Sequence, residues 1–191
     1  MRICAGVLFT LVISCSAIAQ TYSMKTFAGG ALPAGGAATG ASLGSVNGIA
    51  ADGAGNVYLA LGDYDLVLRI DANGALTRVA GTGIKGFSGD TGAGADAQLA
   101  GPRGLATDGT GNLYIVDGDN SRVRMVANGT IRTIAGNGAQ GYDGDGDQAV
   151  TASFNGPAAI AVDRAGNIYV ADFFDSLEES VGEFGLGEFA K

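Results

Sequence analysis

The sharpest chemical signal in this 191-residue chain is Asp143-Gly-Asp145-Gly-Asp147. Three carboxylates at alternate positions of a glycine-rich loop can converge on a hard cation such as calcium, which takes oxygen ligands. The twelfth position counted from Asp143 is Phe154, where a helix-loop-helix calcium site needs a bidentate glutamate. The matching loop one repeat earlier, Ser88-Gly-Asp90-Thr-Gly92, keeps one carboxylate. A structural turn loop is the competing reading. Asp63, Asp65, Asp117, Asp119 and Asp172 fall where strands end. Paired carboxylates can do acid–base work, while aspartate in turns commonly accepts bonds from nearby backbone N–H groups. Asp63, Asp65, Asp119, Asn120 and Arg122 are the candidates for a ligand-facing surface. For Arg122 a structural ion pair to Asp117 or Asp119 is also expected. Histidine is absent, which removes histidine-ligated zinc, a Ser-His-Asp triad and a histidine general base.

These residues are positioned by a repeat. Gly48-Ile-Ala-Ala-Asp52 leads to Gly55-Asn-Val-Tyr58, Gly104-Leu-Ala-Thr-Asp108 to Gly111-Asn-Leu-Tyr114, and Ala159-Ile-Ala-Val-Asp163 to Gly166-Asn-Ile-Tyr169. Spacings of 56 and 55 residues mark a repeat architecture. Each unit resolves into short apolar runs bounded by Gly, Asp or Asn. In the second unit they are Gly104–Asp108, Asn112–Val116, Arg122–Val126 and Thr130–Ala135. In the first they are Ile49–Asp52, Val57–Leu61, Leu66–Asp71 and Leu76–Ala80. Asn73-Gly74 and Asn128-Gly129 are hairpin signals. Alternation of Arg122 and Arg124 with Val123 and Met125 predicts one polar face.

Four consecutive antiparallel strands make a meander, and an innermost strand of small residues suits meanders fanned about an axis. The predicted fold is therefore all-β, a partial β-propeller of about two and a half four-stranded antiparallel blades. Between meanders, Ala80-Gly-Thr-Gly-Ile-Lys-Gly-Phe87 is answered by Ala135-Gly-Asn-Gly-Ala-Gln-Gly-Tyr142, and Leu99 by Phe154. A loop this long and repeated is expected to pack its Phe or Tyr and its Leu or Phe between blades. A degraded copy precedes the first meander, through Phe27, Gly35-Gly36 and Leu43.

Composition narrows the setting. Glycine numbers 34, proline 3, and the formal net charge is −8. Glycine without a G-X-Y period excludes collagen. The negative balance disfavours nucleic acid and anionic headgroups. Arg2, the apolar run from Ile3 to Ile13 and Ala17-Ile-Ala19 read as a signal peptide with cleavage near Ala19, giving a secreted or periplasmic product with no membrane span. Val12-Ile-Ser-Cys15 offers the alternative of a lipoprotein anchored at Cys15. Cys4 and Cys15 both lie in that segment, so a processed chain has no disulfide.

The units resemble NHL repeats, on the strength of Asn112-Leu-Tyr-Ile-Val-Asp117 followed by Asn120, Arg122 and Val123, and of Asn167-Ile-Tyr-Val-Ala-Asp172. Ser121 stands where that family has its histidine. The resemblance covers residues 27 to about 172 and implies a propeller, commonly six-bladed, acting as a non-catalytic scaffold or binding surface for protein or glycan. It also leaves open a calcium-dependent lactonase or hydrolase, and a homo-oligomer that completes the ring. The expected organisation is signal 1–19, N-terminal strand and Gly/Ala-rich loop 20–47, repeats 48–100 and 101–155, a partial repeat 156–174, and a divergent acidic tail 175–191. Glu178, Glu179, Glu183 and Glu188 are the only glutamates in the chain. That break suggests no further strand of the sheet after Asp172, and a truncated gene product without independent function is the remaining alternative.

Overall fold

The computed structural model describes residues 36–37, 43–144, 146–173 and 185–189. The expected signal segment, the run Tyr22 to Ala28 and most of the acidic tail lie outside the described residues. What is described is an all-β partial propeller of three antiparallel sheets.

Blade one comprises β1 (Gly36–Ala37), β2 (Gly48–Ala51), β3 (Val57–Leu61), β4 (Leu66–Ile70) and β5 (Ala75–Ala80), in the order β1-β5-β4-β3-β2. Blade two is β6 (Pro102–Thr107), β7 (Leu113–Asp117), β8 (Arg122–Ala127) and β9 (Thr130–Ala135), in sequence order. Blade three joins β10 (Pro157–Val162), β11 (Ile168–Asp172) and β12 (Gly185–Phe189). The strand limits follow the apolar runs to within a residue or two, because the turn residues that bound them are where the chain reverses.

The two Asn-Gly hairpins reverse differently. Asn128 and Gly129 have φ of 50° and 80°, both positive as a two-residue primed turn requires. At Asn73-Gly74 only Gly74 is positive, at 82°. There Asp71 closes the turn by accepting the N–H groups of Asn73 and Ala75.

The inner strands approach closely, β2 against β6 and β6 against β10. Glycine makes this possible. A Cβ on Gly48 would lie 1.9 Å from the Arg103 carbonyl oxygen, and one on Gly104 would lie 2.8 Å from Ala159 Cα. The expectation of tiny side chains next to the axis thus has a steric cause.

Apolar burial lies between blades. Tyr58, Ala60 and Val67 of blade one meet Leu105, Leu113, Ile115, Val126 and Ile131 of blade two, with Leu99 of the intervening loop among them. Phe154 occupies the matching place beside Val123 and Val170. The loop expectation holds for Leu99 and Phe154, both buried, and fails for Phe87 and Tyr142, which are 42% and 56% exposed. The loop also guards an edge. Thr91 N–H donates to Ile131 O and Ile131 N–H to Gly92 O, so the loop runs as a short extra strand beside β9. β1 pairs Gly36 with Leu76 and Ala37 with Ala75, one repeat earlier. The degraded copy therefore does the same job, covering an outer edge that would otherwise be open to pairing.

Two sequence readings are corrected here. Arg124 does not lie on a polar face: it is completely buried. A strand does follow Asp172: β12 pairs with β11, Asp172 opposite Gly185 and Ile168 opposite Phe189. By the 55-residue period Gly185 answers Thr130 of a fourth strand, yet it takes the third position, where Arg122 faces Asp117 in blade two.

Candidate functional site

The blades present two unlike ends. At one end the β2–β3, β6–β7 and β10–β11 turns each carry an aspartate locked by its own repeat. Asp52 accepts bonds from the Asn56 backbone N–H, the Asn56 side-chain amide and the Tyr58 hydroxyl at 2.9, 2.7 and 3.0 Å. Asp108 does the same with Asn112 and Tyr114, and Thr110 adds its hydroxyl at 2.8 Å. Asp163 repeats the pattern with Asn167 and Tyr169. Burial pushes the Asp108 carboxyl up, but the bonds from Thr110 and Asn112 outweigh it and hold the group well below the ordinary carboxylate range. Asp52 is lowered in the same way, against its burial, by Asn56 and Tyr58. Asp163 is lowered first by the Asn167 N–H. These carboxylates have spent their lone pairs on their own turns. The recurrent Asp…Gly-Asn-x-Tyr signature is a turn brace.

The other end carries the long inter-blade loops and the turns between second and third strands. Here most of the ligand-surface candidates gather. Asp63 is exposed in the single helical turn Gly62–Tyr64. Asp65, in left-handed conformation at φ 52°, accepts the Gly101 N–H across the blade boundary at 2.8 Å. Asp119 lies between Lys85 at 2.7 Å and Arg103 at 3.0 Å, and the Lys85 bond is the main cause of its lowered pKa. Asn120 donates to Gly86 O and to Asp117, tying the loop to the turn.

The ion pair expected from Arg122 to Asp117 or Asp119 does not form, because other cations hold both carboxylates. Asp117 takes Arg124, at 3.3 Å, and Asp119 takes Lys85 and Arg103. Arg122 instead donates to Asn120 O at 3.0 Å and Asn137 O at 2.7 Å, and its guanidinium lies 3.9 Å from the Phe87 ring centroid. Phe87, expected in the core, is the platform for this cation.

Beneath lies a network that sequence reasoning missed. Arg124 bonds Asp117, the Asp90 carboxylate at 2.7 Å, and the carbonyls of Ser88 and Gln98. Asp117 also accepts the Ala100 N–H at 2.7 Å. Burial raises the Asp117 pKa; the bonds from Ala100, Asn120 and Arg124 pull against it. The signal for this cluster was an arginine at a position where blade one has Leu68, together with Asp117 where blade one has Leu61.

The calcium candidates Asp143, Asp145 and Asp147 are only partly among the described residues. Asp143 and Asp147 are exposed, and Asp145 lies outside the described residues. Among the described residues no three His, Cys, Asp or Glu side chains converge as metal ligands. No described helix is long and apolar enough to cross a membrane.

Neither a protein-family model nor a curated protein matches the sequence. Solved structures do match. A structural genomics protein of unknown function from Bacteroides thetaiotaomicron is 28% identical with a TM-score of 0.55, covering 62% of this chain and 30% of that one. An auxiliary nutrient binding protein from the same organism is 26% identical with a TM-score of 0.52, covering 65% of this chain and 34% of that one. The chain thus spans about a third of the length of the solved proteins it resembles.

Proposed function

We propose that this is an exported NHL-type propeller whose loop-bearing end is a non-catalytic binding surface for a protein or glycan. The observation that carries the reading is the contrast between the ends. Turn-end aspartates are consumed by their own braces. At the loop end Asp63 of blade one, Lys85 of the first inter-blade loop and Asp119 of blade two are exposed, Lys85 paired with Asp119, and Arg122 lies half-buried beside them in β8. An auxiliary nutrient binding protein among the similar structures supports a binding role. The Ala17-Ile-Ala19 site supports export, and intact-mass measurement of the chain after secretion checks cleavage after Ala19.

A glycan array and a pull-down with the full chain test the binding role. Exchanging Asp63 and Lys85 for alanine is expected to abolish capture, and exchanging the exposed turn residues Gly109 and Asn128 is expected to leave it. Equal capture by both variants overturns the assignment to the loop end.

A further inference from the structure

Among the described residues of the loop end, Arg122 carries a charge that the repeat itself does not require. Blade one carries Leu66 at this position and closes in the same way, so the architecture does not require an arginine. The chain is acidic, with 19 carboxylate side chains against 11 cations. Yet among the described cations of the loop end Arg122 has no carboxylate partner, while Lys85 and Arg103 share Asp119 and Arg124 holds both Asp90 and Asp117. Its guanidinium is held on three sides: the Phe87 ring covers one face at 3.9 Å, and the carbonyls of Asn120 and Asn137 take one N–H each. Gly138 closes on it so tightly that a Cβ there would lie 2.1 Å from a terminal guanidinium nitrogen. A guanidinium has five N–H donors, and two are used. The head is fixed, half-buried, and keeps donors to spare.

We propose that Arg122 is the anchor of a carboxylate-binding position at the loop end, taking a small sugar acid. This rests on the reading of that end as the binding surface. A preoriented planar fork matches a carboxylate, and the side chain's ordering cost is met before the ligand arrives. A monoanion suits the site better than phosphate, since a net charge of −8 repels a dianion more strongly. Neutral sugar makes no use of the fork.

The test is a titration of the full chain with sodium glucuronate, followed by NMR, with glucose and inorganic phosphate as parallel arms. Glucuronate is expected to shift the Arg122 Nε–H and the amides of Asn137 and Phe87, and glucose is not. Arg122→Leu, which installs the blade-one residue, is expected to weaken binding at least about tenfold, the loss of a charge-assisted bond. If that variant does not fold, the wild-type shift pattern decides alone. Shifts confined to other residues, unchanged affinity in the variant, or phosphate binding as tightly as glucuronate overturns the proposal. Glucuronate bound elsewhere on the loop end would remove Arg122 as anchor while leaving the binding surface standing. No carbohydrate or protein capture at all would remove both.

Discussion

Blade one and blade two have the same four-strand meander and are held together by opposite means. Where blade one has Leu61 and Leu68, both fully buried, blade two has Asp117 and Arg124, equally buried. The first set joins Leu59, Leu66 and Leu76 in an aliphatic cluster. The second ties two strands to Asp90, Ser88, Gln98 and Ala100 of the loop before it. Hydrophobic burial is non-directional, so the leucines serve any neighbour of suitable shape. A buried ion pair is directional: it specifies which loop lies across the blade and where, and its net stabilisation is small because both charges leave water. The blades teach that this repeat needs a filled position there, not a particular chemistry.

Breaking the shared part of the comparison should cost most. Gly48→Val puts a branched side chain where a Cβ alone would sit 1.9 Å from the Arg103 carbonyl oxygen. The inner strands must separate, and the expected loss exceeds about 3 kcal/mol, read as a large fall in Tm or failure to fold. A variant that melts like the wild type would show that the blades do not approach through this glycine.

Arg124→Met sharpens the contrast. It leaves Asp117 buried with no cation, and the expected cost is about 3–5 kcal/mol. Replacing both partners with the blade-one residues, Asp117→Leu with Arg124→Leu, should cost less than the single change. The Ala100 N–H and the Asp90 carboxylate still lose a partner, so the double variant should fall short of neutrality. Urea denaturation of wild type and the two variants measures the two costs and their order. If the double variant is worse than Arg124→Met, the network is not exchangeable for a leucine pair and the blades differ in more than filling.

The parts of the comparison differ in how readably the chain announces them. Strand limits, the three repeats, the loop wedges Leu99 and Phe154 and the edge-covering copy before β2 all follow from local pattern and a fixed period. Arg124 does not. Alternation places it beside Arg122 on a face that looks polar, and only the fold brings Asp90, 34 positions earlier, onto that face. Phe87 is misjudged for the same reason: its partner is a cation on the next blade. The turn that carries the Asp-Asn-Tyr brace was legible because it recurs in all three units. The third-position strand Gly185–Phe189 breaks the period, so no periodic argument could find it.

The smallest expected effects lie in the turn braces, which both blades share and which separate them by one residue. Asp108 has the Thr110 hydroxyl where the corresponding residue near Asp52 is Ala54. Thr110→Ala should therefore cost on the order of 0.5–1 kcal/mol, and make the second brace like the first. Acid titration gives the sign independently. The Asp108 pKa is depressed on folding from 3.8, so its stabilisation is complete above the unfolded value and is lost as pH falls through the folded one. The Tm difference between wild type and Thr110→Ala should be constant near neutrality and shrink below about pH 4. A difference that grows with acidity would mean that Thr110 favours the protonated carboxyl, and that the two braces are not the same device.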